Sequence, residues 1–144
     1  MLGSCAHFTP ETKGIDKKVK PYVDLFIEES LKRGILVDRN DINIGMGEND
    51  EFAYEVRDNT MISVLGYCRP DRKTIRIKES HWTMISDVER EIIIFHELGH
   101  CVLFLDHFDD AIDIMNSRRM EPILYFQHRQ DLLDRMIKRV RTSR

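Results

Sequence analysis

The chain has 144 residues, 42% of them apolar and 33% charged, the size and composition of one domain with its own core, which excludes a disordered or collagen-like chain. A net charge of −3 gives no general attraction for phosphate backbones, so no nucleic-acid partner is expected. The most apolar run, "IIIFHELGHCVLFL", is interrupted by His96, Glu97 and His100 and falls short of the roughly 18 residues needed for a transmembrane helix.

In chain order, residues 1–14 read as a flexible tail and 15–144 as a single domain. Leu2, Gly3, Ser4 and Cys5 match a bacterial lipobox, without the charged and apolar segments that precede one. A signal segment upstream of Met1 would make Cys5 a lipid anchor and the protein an envelope or secreted one. Otherwise it is expected to be soluble, cytoplasmic or phage-encoded. From Ile15 to Lys32, apolar positions recur at three- and four-residue intervals, predicting an amphipathic helix closed by Gly34. Pro21 either starts its regular part near Lys20 or kinks it there.

Between Ile35 and Lys78 the pattern changes to short β-type runs: "DINIGM", "FAYEV", "MISVLGYC" and "TIRIK". Pro70 and Asp71 occupy turn positions, predicting an antiparallel hairpin over 61–78. Ile75 and Ile77 alternate with Arg76 and Lys78, which suggests a strand at a sheet edge. Ser86 and Glu89 have the form of a capping box, starting a helix at Asp87 that runs to about Leu105. An aspartate-rich loop with "IMNS" follows, then a last helix bearing Leu132, Leu133, Met136, Ile137 and Val140 at helical spacing.

The chemistry lies in "HELGHCVLFLDH", residues 96–107. His96 and His100, four apart, share one helix face, so both rings can converge on one ion. Glu97, one residue round, is placed to act as general base on a water beside that ion. A pure core helix would carry none of these costly polar groups, and a Zn²⁺ site accounts for them. Catalytic zinc generally has three protein ligands, and the candidates for the third are His107, Asp106 and Glu121. Cys5, Cys68 and Cys101 lack the spacing of a zinc set. Cys68 and Cys101 would pair as a disulfide in an exported protein and pack as small apolar residues in a reducing cytosol.

The run from His96 to Asn116 resembles the metzincin zinc proteases, whose long HExxH motif adds a third ligand beyond the helix and a turn with a methionine below the metal. Within that clan it is most similar to small bacterial and phage metallopeptidase-like proteins carrying "FHELGHC", a histidine seven residues beyond the second, and an "IMN" turn. "GYC", a strand like "TIRIK" and a tryptophan such as Trp82 extend the likeness upstream more loosely. The resemblance implies His107 as third ligand and Met115 as the Met-turn residue. One departure bears on this: Leu103 stands where metzincins have glycine and Asp106 where the third ligand falls, with His107 one beyond. A left-handed Leu103 would be strained, so the helix should continue a little further before turning, which favours His107 over Asp106, with Glu121 third.

The resulting expectation is an α+β, metzincin-like zincin domain with a small mixed sheet, an active-site helix, a Met-turn and a C-terminal helix. It would hydrolyse peptide bonds as a zinc metalloendopeptidase, acting as a monomer on a peptide or protein substrate laid along the edge strand around Thr74–Lys78. The alternative is a catalytically inactive, zinc-stabilised binding or structural protein. Tyr125 or Tyr67 could serve the oxyanion, although simple packing suits each better. His81 and His128 read as ordinary surface or helix residues.

Overall fold

A computed structural model describes residues 13–48, 52, 54–57, 60–63 and 65–142, so the lipobox-like stretch around Cys5 lies outside the described residues. Gly14, the last residue of the expected tail, is tied to the first strand: its N–H donates to Asn43 Oδ1 and its carbonyl accepts from Ile44 N–H, both at 2.9 Å. Ile15 then bridges Ile44 in parallel, so the first helix does not begin there. Helix α1 (Lys20–Lys32) starts with Pro21 in its first turn, where the missing N–H costs nothing. It ends at Gly34, whose φ of 84° lets the chain double back through Ile35 N–H to Ser30 O at 2.9 Å.

Five short strands follow: β1 (Asn43–Gly47), β2 (Tyr54–Arg57), β3 (Thr60–Ser63), β4 (Gly66–Arg69) and β5 (Thr74–Lys78). The run "MISVLGYC" is two strands rather than one, since β3 pairs antiparallel with β2, while β4 forms the expected hairpin with β5. β5 is not an edge strand. It lies between β1, to which it is parallel, and β4, and Arg76 is only 9% exposed. Alternation of isoleucine with arginine reports the two faces of a strand and carries no information about its lateral neighbours. Here Gly45 stands opposite Arg76, and the flanking strands cover both edges. The architecture is thus α+β, with a small mixed sheet and four α-helices among the described residues.

The short α2 (Glu79–Trp82) buries Trp82 edge-on against Tyr22, with ring centres 5.4 Å apart. Helix α3 (Asp87–Cys101) has its capping box as predicted: Ser86 Oγ accepts from Glu89 N–H at 3.3 Å and Glu89 Oε2 from Ser86 N–H at 2.9 Å. The helix stops at Cys101, four residues before the expected Leu105. Helix α4 (Pro122–Thr142) leaves helical geometry at His128 and buries all five predicted positions, Leu132, Leu133, Met136, Ile137 and Val140. Ile44, Ile75 and Ile77 of the sheet share one core with Val23 and Phe26 of α1 and Ile94, Phe95 and Leu98 of α3, and α3, which packs on the sheet, on α1 and on α4, lies central in it. A Cys68–Cys101 disulfide with Cα atoms 5.7 Å apart ties β4 to the last turn of α3. No described helix is long and apolar enough to cross a membrane.

Candidate metal centre

Capping fixes where α3 begins and hence which residues face inward. Ile92, Ile94, Phe95, Leu98 and Cys101 are buried against the core, and His96 and His100 emerge together on one face, partly buried. Their rings are fixed from outside the helix. His96 Nδ1 hydrogen-bonds Ile114 O and His100 Nδ1 hydrogen-bonds Leu105 O, both at 2.7 Å. A carbonyl can only accept, so each Nδ1 carries the proton and each Nε2 is left with a bare lone pair. Those two Nε2 atoms face each other 3.2 Å apart.

Two lone pairs at that separation repel unless a cation or a proton lies between them. Burial, together with the nearby His100 and His107, pushes His96 down to about 4, and burial with the His107 charge lowers His100 as well, so a proton is disfavoured near neutrality. Four-coordinate zinc at about 2.0–2.1 Å from each nitrogen spaces its ligands roughly 3.3 Å apart, which the pair already matches. His107 completes the set: its ring centre is 5.3 Å from that of His96 and 4.8 Å from that of His100, and the ligand atoms of all three residues lie within 4.8 Å of one another. Among the described residues no other histidine, cysteine or carboxylate trio converges in this way. The donor set therefore fits a metal ion. Asp106 and Glu121, the other two candidates, are exposed and stay outside the set.

The chain reaches His107 through a turn displaced by one residue. After Cys101, Leu103 N–H reaches back to Leu98 O at 3.2 Å and Leu105 N–H to Gly99 O at 2.9 Å, which widens the helix end. The left-handed residue is Phe104, with φ 56°, three before His107. Leu103 instead points into the core at 4% exposure, as expected if glycine's usual task has moved one position along.

Glu97 is 8% exposed, and burial pushes its carboxyl up to about 8. Beside it, a Cβ built on Gly66 of β4 would stand 3.6 Å from Glu97 Cγ, so β4 passes close along this side of the site. Met115 is fully buried against Gly99, the residue before His100. Its loop is held by Asp113, whose Oδ1 accepts from Met115 N–H at 2.8 Å and whose carboxylate pairs with Arg139 of α4. Tyr125 is also buried, but its hydroxyl donates to Glu91, which Arg129 Nε holds at 2.7 Å, so it is committed to a structural network. Tyr67 packs near Phe52, with ring centres 5.4 Å apart. His81 Nε2 meets Arg119, and His128 sits exposed at the break in α4.

Sequence reasoning missed Gly99, Asp113, Phe104 and Arg139. A glycine in mid-helix costs about 1 kcal/mol relative to alanine and so was a usable signal. The other three act through contacts between segments far apart in the chain. No family model matches the chain, and neither a characterised protein nor a solved structure is significantly similar to it.

Proposed function

We propose that the protein is a zinc-dependent metallopeptidase of metzincin type. The observation that carries this reading is the pair of unprotonated Nε2 atoms of His96 and His100, 3.2 Å apart, with His107 closing the set; Glu97, next to His96 in the chain, is buried. Three imidazoles suit Zn²⁺ better than Mg²⁺ or Ca²⁺, which take oxygen ligands. When bound, the ion supplies Lewis acidity, which acidifies water and polarises a peptide carbonyl.

The chain's own residues supply the rest. Burial raises the Glu97 carboxyl in the metal-free chain; its carboxylate form, favoured beside a cation held by the histidines, would accept a proton and later return it to the leaving amine. The carbonyls of Ile114 and Leu105 fix the rings of His96 and His100, so no ring rotation is needed on ion binding. The substrate strand is assigned to β4 in place of β5, since β5 is enclosed on both sides while β4 is an outer strand of its sheet and passes Glu97.

Glu97→Gln tests the reading. One zinc per chain should remain and hydrolysis of a mixed peptide library should disappear. A zinc-loaded wild type that cleaves nothing in that library would remove the peptidase reading and leave a metal-stabilised binding protein.

A further inference from the structure

Arg139, in the second half of α4, contacts both arms of the loop that follows α3. Its Nη1 and Nη2 donate to Asp113 Oδ2 and Oδ1 at 2.7 and 2.6 Å, a two-pronged pair with a carboxylate that has no exposed surface. Its guanidinium carbon also lies 4.6 Å from the centre of the Phe108 ring. Each contact adjoins in the chain a residue that forms or holds the three-histidine set. Asp113 precedes Ile114, whose carbonyl fixes His96, and Phe108 follows His107. The two arms are joined by Phe108 N–H donating to Met115 O at 2.9 Å.

We propose that Arg139 is a positioning residue for the three-histidine centre, holding through Asp113 and Phe108 the loop geometry on which cation affinity depends. The inference rests on the metal reading of that centre. A guanidinium suits the task because its planar fork fixes a carboxylate in two directions while its face stacks on a ring, and a lysine ammonium can do neither. A simple tie between α4 and the loop would stabilise the fold with and without metal alike. A positioning role changes the affinity of folded protein.

The test measures Zn²⁺ affinity of the full chain at neutral pH by competition with a chromogenic chelator, and the visible absorption of the Co²⁺-loaded protein as a report on ligand geometry. The variants are Arg139→Lys and Asp113→Asn. Glu29→Gln, which breaks the 2.6 Å ion pair with Arg33 on α1, serves as a control of general destabilisation. Removing outer support of a metal ligand typically weakens binding 10–100-fold, and a loss of about tenfold is expected for both variants, with shifted Co²⁺ bands. The control should melt earlier yet bind Zn²⁺ as the wild type does. If Asp113→Asn does not fold, Arg139→Lys decides, because it keeps the charge and loses the fork and the ring stacking. Folded variants with affinities within about twofold of wild type and unaltered Co²⁺ bands would overturn the proposal alone. A wild type that takes up neither ion would overturn the metal reading and this inference with it.

Discussion

The thioether of Met115 occupies the space that a Cβ on Gly99 would need. Built there, the Cβ would collide with Sδ and stand 3.1 Å from Cε. In an open helix, glycine to alanine raises stability by about 1 kcal/mol. At position 99 the sign should reverse, because Met115 is fully buried and its thioether can move only by displacing its core neighbours. Gly99→Ala is expected to lower stability by roughly 1–3 kcal/mol in thermal or urea unfolding and to weaken metal binding. A more stable Gly99→Ala protein would show that Met115 does not pack against Gly99.

The displaced turn gives two opposite expectations for adjacent residues. Phe104 holds φ 56° while its side chain is 68% exposed, so Phe104→Gly removes a strain of about 1–2 kcal/mol and little packing. Stability should stay level or rise. Leu103 is 4% exposed, and Leu103→Gly should cost roughly 3 kcal/mol or more. Urea unfolding of both variants checks the order, and the reverse order would return the turn to Leu103.

How much of this was readable in advance depends on how local the determining contacts are. The Ser86–Glu89 cap, the pairing of His96 with His100 by helical spacing, and the five buried positions of α4 all follow from residues a few places apart, and they were legible. Preference for His107 over Asp106 also came from a local argument, the strain of a left-handed leucine; His107 does join the set, but through a left-handed Phe104 and not through the longer helix that argument expected. The end of α3 was misread because "VLFL" is as apolar as the helix before it, and only the wide turn to Phe104 stops the helix at Cys101. The central place of β5, the division of "MISVLGYC" and the Asp113–Arg139 pair depend on partners distant in sequence, for which a single chain carries no pattern.

The Cys68–Cys101 bridge closes a loop across a sequence separation of 33 residues. By loop-closure entropy its reduction should cost roughly 3–4 kcal/mol. For a domain of this size that corresponds to a fall in Tm of about 10 °C. Differential scanning calorimetry with and without a thiol reductant measures it. An unchanged Tm in fully reduced protein would contradict the bridge.

Glu29 governs part of the acid limb of stability. Burial alone would raise its carboxyl, but hydrogen bonds from Arg33 and Lys32 and the charge of Arg129 outweigh this and hold it below its usual 4.5. A carboxyl whose folded pKa is depressed contributes stability fully above its unfolded pKa, and the contribution is lost as pH falls through the folded one. Breaking this buried pair by Glu29→Gln should cost about 3 kcal/mol at neutral pH. The gap from wild type, measured by urea unfolding, should narrow steadily below pH 4.5. An equal gap at both ends would separate Glu29 from the acid transition.

The most direct test of the central claim, that His96, His100 and His107 together hold one cation, is a Zn²⁺ titration of metal-free protein beside His107→Ala and Asp106→Ala. One ion per chain is expected for the wild type and for Asp106→Ala, with affinity reduced more than about 100-fold in His107→Ala. Full binding by His107→Ala, with binding lost in Asp106→Ala, would contradict it.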